Sequence, residues 1–129
     1  VKGIRDNVIK KKSYDFALDI IKIYRYLCEE KHEYVLSKQL LRSGTGIGAN
    51  VEEALAASSR KDFIYKMGVA CREARETLYW LRLLTDSSYL PEKPTQRLQS
   101  QTEELIRLLT SIVKTTTENE KGTGKRFRP

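Results

Sequence analysis

Apolar residues recur along this chain at spacings of three and four, the beat of an α-helix, and no stretch shows the alternation of a strand. The first run is Phe16, Ala17, Ile20, Ile21, Tyr24, Leu27 and Cys28, a face broad enough to meet two neighbours. Ser13 ahead of it is a natural N-cap. Lys31-His32-Glu33-Tyr34 connects to a second helix, roughly 35–57, where Leu36, Leu40, Ile47, Val51 and Ala54 share one face. Ser59 and Asp62 have the spacing of a capping box at the start of a third helix. Its core face is Phe63, Met67, Ala70, Ala74, Leu81 and Leu84, with Ile64, Cys71 and Leu78 beside it. Asp86-Ser87-Ser88, Pro91 and Pro94 mark the longest connection. A fourth helix, roughly 95–117, carries Leu98, Thr102, Leu105, Leu109, Ile112 and Thr116. Beyond it, Gly122, Gly124 and Pro129 interrupt a segment with no core-facing pattern.

These helices, joined mostly by short loops, predict an all-α protein: an antiparallel up-down-up-down four-helix bundle over residues 13–117. A basic segment, 1–12, precedes it, and a basic tail, 118–129, is expected to be disordered.

The second helix holds Gly44, Gly46 and Gly48, with Gly44 at the edge of the apolar face. Each interior glycine costs about 1 kcal/mol relative to alanine. Close approach of another backbone is the usual compensation. Gly44, Gly48, Gly68, Ala70 and Ala74 together predict that the second and third helices pack closely. A phosphate-binding loop is excluded, because Val35–Leu41 before the glycines has helical rather than strand spacing and no Lys-Ser or Lys-Thr follows.

Composition changes this picture little. The 129 residues fit one domain with a single core. Cys28 and Cys71 both lie on apolar helical faces and read as reduced core thiols, neither a disulfide framework nor a metal site. No apolar run is long enough to span a bilayer, and Val1–Asn7 lacks the apolar core of a signal peptide. A cytoplasmic protein without membrane contact is expected.

Charge matters more. The net charge of +7 is concentrated at the ends. Lys2, Arg5, Lys10, Lys11 and Lys12 face only Asp6 in the first segment, and Lys121, Lys125, Arg126 and Arg128 outnumber Glu118 and Glu120 in the last. Such ends attract anionic polymers or merely solubilise.

The residues of catalysis are missing. Glu29 and His32 have the spacing of half a ferritin-like di-iron site, but the chain has 1 histidine, so one subunit lacks the full set. His32 reads instead as a helix-end residue against terminal carbonyls. No Ser or Cys has a positioned base, and the adjacent acids Glu52-Glu53 and Glu103-Glu104 read as solvated surface. No enzyme activity, metal or cofactor is expected. Ser43 and Asn50 flank the apolar stripe of the second helix, with Glu53 farther round. Asn50 is expected to hydrogen-bond across helices and fix register, with a polar ligand contact as the alternative.

The third helix carries a different signal. Lys61, Tyr65, Gly68, Arg72, Arg75, Tyr79 and Arg82 follow spacings of four and three, opposite the core face. The stripe has no acid, while Asp62, Glu73 and Glu76 gather on one flank. Basic groups interleaved with aromatic rings suit nucleic acid, with arginines on phosphates and tyrosines stacked on exposed bases. Lys10, Lys11, Lys12, Lys125, Arg126 and Arg128 are auxiliary candidates. The plainer reading is an outer helix face, or one that meets Glu103 or Glu104 of a neighbouring subunit.

A set of motifs completes the reading. Asn7-Val8-Ile9-x-x-Lys12-Ser13-x-x-Phe16-Ala17 leads into the first helix. Then come Gln39-Leu40-x-Arg42-Ser43-x-Thr45-x-Ile47-x-Ala49-Asn50-Val51-x-Glu53-Ala54, Lys61-Asp62-Phe63-x-x-Lys66-Met67 and Glu73-Ala74-x-Glu76-Thr77-x-x-Trp80-Leu81. Over roughly residues 7–115 the chain resembles the small four-helix-bundle proteins encoded in 23S ribosomal RNA intervening sequences, long labelled ribosomal-protein-like. Gly46 stands where family members often have a second serine. The resemblance implies a homopentameric ring, with Ser43, Gly44, Gly48, Asn50 and Glu53 as structural motif residues. The accessory proteins of diversity-generating retroelements look related, and they are basic pentamers that bind nucleic acid and a reverse transcriptase. The expected function is non-catalytic binding of RNA or other nucleic acid by a homo-oligomer. The alternative is an assembly scaffold that recruits a protein partner such as a reverse transcriptase.

Overall fold

The computed structural model describes residues 2–126, with side chains described for residues 3–119. Four helices follow one another: α1 (Lys2–Glu29), α2 (Leu36–Leu55), α3 (Arg60–Asp86) and α4 (Glu92–Arg126), with no strand among the described residues. α2 packs against both α1 and α3, and α3 against α4, whereas α1 and α4 meet only sparsely. Asp6, the α2–α3 turn at Ala57–Arg60 and Thr116 line one groove at one end of the bundle. Tyr26, Lys31, Thr85 and Pro91 line another at the opposite end. The chain therefore runs up and down in alternate helices. No helix among the described residues is long and apolar enough to cross a membrane.

The core follows the periodic faces of all four helices. Phe16, Ile20 and Leu27 meet Leu40, Ile47 and Val51, and beyond them lie Met67, Ala70, Ala74, Leu81 and Leu84, then Leu98, Leu105, Leu109 and Ile112. Thr102 and Thr116 are buried on the same α4 face because their hydroxyls donate to the Leu98 and Ile112 carbonyls, both at 2.7 Å. Ser59 caps α3 as its spacing predicts, its hydroxyl accepting the Asp62 N–H at 3.1 Å.

The structure corrects several expectations. α1 begins at Lys2, not at a cap on Ser13. Ser13 is buried mid-helix, its hydroxyl donating to the Lys10 carbonyl at 3.2 Å. Ile9, buried one turn earlier, extends the apolar face that makes the longer helix. At the other terminus α4 continues to Arg126, where disorder was expected from residue 118; an established helix elongates with one hydrogen bond per residue, needing no core contact. Residues 127–129 lie outside the described part.

The glycines also face elsewhere. A Cβ on Gly44 would lie 2.8 Å from two Ile20 side-chain carbons, and one on Gly48 would lie 3.3 Å from the Ser13 carbonyl oxygen. These two glycines admit α1, not α3. Gly46 is the one turned to α3, where its Cβ would meet the Glu73 carboxylate. Gly68 faces none of these partners: among the described residues nothing lies within 4 Å of a Cβ built there.

His32 does not cap terminal carbonyls. It takes a positive φ of 52° in the α1–α2 turn, and its Nδ1 lies 3.2 Å from the Tyr34 hydroxyl. Glu33 does the capping. It is 9% exposed, and its carboxylate accepts the backbone N–H groups of Val35, Leu36 and Ser37 at 3.2, 2.9 and 2.7 Å. Burial pushes its carboxyl pKa up, but those N–H groups outweigh it and hold the value below the ordinary one.

Candidate nucleic-acid interface

α3 presents one face to the core and the opposite face to solvent, and Lys61, Tyr65, Arg72, Arg75, Tyr79 and Arg82 all fall on the second. Lys61, Arg72, Arg75 and Arg82 are exposed, and Tyr65 and Tyr79 are 60% and 53% exposed. At 1.5 Å per residue the row from Lys61 to Arg82 is about 30 Å long. Sequence periodicity thus places these six residues together correctly.

Two of the three acids on the flank of α3 are held by α2, while the third, Asp62, is exposed without an ion pair among the described residues. Arg42 pairs through one guanidinium nitrogen with Glu73 at 3.4 Å and through the other with Glu76. Glu53 accepts from Lys66 at 2.9 Å, which raises the Lys66 pKa. By contrast, Lys61, Arg72, Arg75 and Arg82 make no ion pair among the described residues. The row keeps its charge.

The rings are differently supported. Trp80 meets Tyr79 edge-on at 5.1 Å between centroids, and the Trp80 indole N–H donates to Glu76 at 3.0 Å. The Arg42–Glu76–Trp80 chain therefore steadies Tyr79 while leaving it exposed. Lys66 lies 6.0 Å from the Tyr65 centroid, at the outer limit of a cation–π contact. Neither Arg42 nor Trp80 was singled out as part of this site. The four-residue spacing of Glu76 and Trp80 is legible in the sequence, but the contact of Arg42 across the helices is not.

The auxiliary lysines fare differently. Lys10 pairs with Glu52 at 3.7 Å, Lys11 with Asp15 at 2.8 Å and Lys12 with Glu104 at 3.3 Å. A polyanion must displace an acid at each. Lys125, Arg126 and Arg128 lie outside the residues whose side chains are described.

The motif residues of α2 serve the bundle. Thr77 donates to Ser43 at 3.0 Å across the buried α2–α3 seam. Asn50 does not cross between helices: its amide donates to the Gly46 carbonyl of its own helix at 2.8 Å. No group of His, Cys, Asp and Glu residues suited to a metal occurs among the described residues. Cys28 and Cys71 are half-buried thiols beside the Ser37 and Thr110 hydroxyls, at 3.8 and 3.4 Å.

The model of one protein family, described as 23S rRNA-intervening sequence protein, matches residues 5–111. A crystal structure of a protein with unknown function from the S23 ribosomal protein family of Bacteroides thetaiotaomicron is similar at 47% identity. The match has a TM-score of 0.84 and covers 85% of this chain and 98% of that one. No protein of curated function matches.

Proposed function

The chain belongs to the 23S rRNA-intervening sequence protein family, and from that premise we propose a non-catalytic, oligomeric nucleic-acid-binding protein whose contact surface is the outer face of α3. One observation carries this reading. Lys61, Arg72, Arg75 and Arg82 stand exposed without an ion pair among the described residues, while the nearby acids Glu53, Glu73 and Glu76 are bound by Lys66 and Arg42. Cations left free in this way release counterions when phosphates replace solvent, and exposed tyrosines accept unstacked bases. RNA is the preferred ligand. The non-catalytic part rests on the chemistry present: the histidine that would serve as base lies in a turn with its Nδ1 3.2 Å from the Tyr34 hydroxyl.

Oligomerisation is supported by α1. Ile4, Val8, Tyr14 and Leu18 are 71, 39, 60 and 44% exposed and share one side of the helix. An exposed apolar row of this kind suits a subunit interface in a closed ring, for which five copies is the proposed number. The same row supports the second reading, a scaffold that recruits a protein partner such as a reverse transcriptase.

Filter binding of RNA across a salt series separates the two. Arg72→Ala and Arg75→Ala should each reduce the log–log salt slope by up to about one unit. Unchanged affinity in a correctly assembled double variant would remove α3 as the binding surface and favour the scaffold.

A further inference from the structure

The two tyrosines of the outer α3 face are held very differently. Trp80, next to Tyr79, is half-buried and packs against the core. Its indole N–H donates at 3.0 Å to the same Glu76 oxygen that accepts from Arg42 of α2, and Arg42 also reaches Glu73 at 3.4 Å. The indole is therefore fixed at its ring by packing and at its N–H by an ion-paired carboxylate. Tyr79 leans on this fixed group: the two rings lie 5.1 Å apart between centroids with their planes at 68°, an edge-on arrangement that aromatic pairs favour. A pair tilted in this way leaves at least one face of the tyrosine ring clear of the indole, and Tyr79 stays 53% exposed. Tyr65 is 60% exposed and has a looser neighbour, Lys66, whose Nζ lies 6.0 Å from its centroid while bonding to Glu53.

Charge brackets the better-held ring. Arg75 lies one turn before Tyr79 and Arg82 one turn after, about 10 Å apart along the axis. Both are exposed, and neither makes an ion pair among the described residues.

We propose that Tyr79 is the base-stacking residue of this surface and that Trp80 is its positioning residue, with Arg75 and Arg82 on the phosphates to either side. The ligand class is single-stranded RNA. A paired base is already stacked on its neighbours and reaches an exposed ring only after unpairing. A ring already held in place loses less freedom when a base settles on it, which is what the contact with Trp80 contributes. This inference rests on the α3 reading above and adds to it which ring stacks, a role for Trp80 and a preference for single strands.

Titration with a single-stranded oligouridylate across a salt series tests it. Tyr79→Ala should lower affinity about tenfold, the scale of one lost base-stacking contact. The log–log salt slope should stay at the parent value, because no charge is removed. Tyr79→Phe should keep nearly full affinity. Trp80→Phe keeps a ring but loses the bond to Glu76, and should lower affinity about threefold at unchanged slope, the scale of ordering one side chain. A mixed-sequence RNA duplex should bind all three variants as it binds the parent. Trp80 is the 1 tryptophan of the chain, so bound oligouridylate should also quench the parent's indole fluorescence. If Tyr79→Ala binds as the parent does while Arg72→Ala and Arg75→Ala flatten the slope, the stacking site is overturned and the α3 surface stands. If none of these variants changes binding, the site falls together with that surface. Equal losses in Tyr79→Ala and Tyr79→Phe, equal losses on single strand and duplex, or unquenched fluorescence at saturation would each overturn stacking at Tyr79. Parent affinity in Trp80→Phe would overturn the positioning role. An altered oligomer in Tyr79→Ala by native mass spectrometry would assign the ring to a subunit contact and overturn the site as well.

Discussion

At Gly48 the α1 backbone runs so close that a Cβ would press on the Ser13 carbonyl oxygen, and at Gly44 one would press on Ile20. Gly48→Leu should therefore destabilise the protein by about 1–3 kcal/mol or more through overpacking, despite leucine's better helix propensity. Thermal unfolding measures this, and stabilisation would show that the close approach of α1 is wrong. Glu33 supplies a pH-dependent term. Its folded pKa is depressed, so its stabilisation is fully present above the ordinary carboxyl value of 4.5. That stabilisation is lost as pH falls through the lower folded value. Glu33→Ala should cost about 1–2 kcal/mol at pH 7, the scale of a lost helix cap. The gap between variant and parent should shrink on acidification below the folded pKa. A gap of equal size at pH 7 and in strong acid would show that the charged carboxylate is not what holds α2.

Between elements, the α2–α3 seam is held by polar groups inside an apolar contact. Thr77 donates to Ser43 and lies 2.8 Å from the Glu73 carbonyl, and both side chains are fully buried. Thr77→Val keeps the shape and removes the donor, and Ser43 keeps its 3.4 Å approach to the Leu40 carbonyl. The expected loss is about 1 kcal/mol, the net value of one hydrogen bond. Chemical denaturation would test it, and a loss several times larger would mean that the hydroxyl pair fixes register. α1 and α4 form the weaker pairing, joined across the seam by Lys12 and Glu104. Hydrogen exchange should accordingly be slowest in α2 and α3. In α1 and α4 it should be fastest before Ile9 and after Thr116, the first and last buried side chains among the described residues. Uniform protection along α1 and α4 would contradict this.

For the molecule as a whole, the proposed assembly would strengthen the proposed binding through repetition. A five-subunit ring would present the α3 row five times, so contacts that are modest singly would sum to high avidity. Native mass spectrometry should show pentamers at micromolar concentration. Leu18→Asp, at an exposed α1 position outside the core, should yield folded monomers whose RNA affinity falls with the lost avidity. A parent protein that is monomeric at these concentrations would sink the ring. A Leu18→Asp pentamer would move the interface off this face of α1.

The sequence determined the helices and their inward faces, because burial on a helix repeats every three or four residues and this chain keeps that period in all four elements. Phe63, Met67, Ala70, Ala74, Leu81 and Leu84 were legible as one face and are all buried. The outward row from Lys61 to Arg82 was legible by the same period, being its complement. The family could be read from its motifs. What faces what could not, since a period fixes a residue's angle on its own helix and not the neighbour it meets. Only the tertiary structure assigned Gly44 and Gly48 to α1 and Gly46 to Glu73. The same holds for charge. Lys10 and Lys12 are as basic in the sequence as Arg72 and Arg75, and it is their packing beside Glu52 of α2 and Glu104 of α4 that compensates them, whereas Lys11 meets Asp15 one turn along its own helix. Gly68 shows the limit most plainly: a glycine's cost is set locally by backbone entropy, but whether anything fills the space beside it depends on elements distant in the chain.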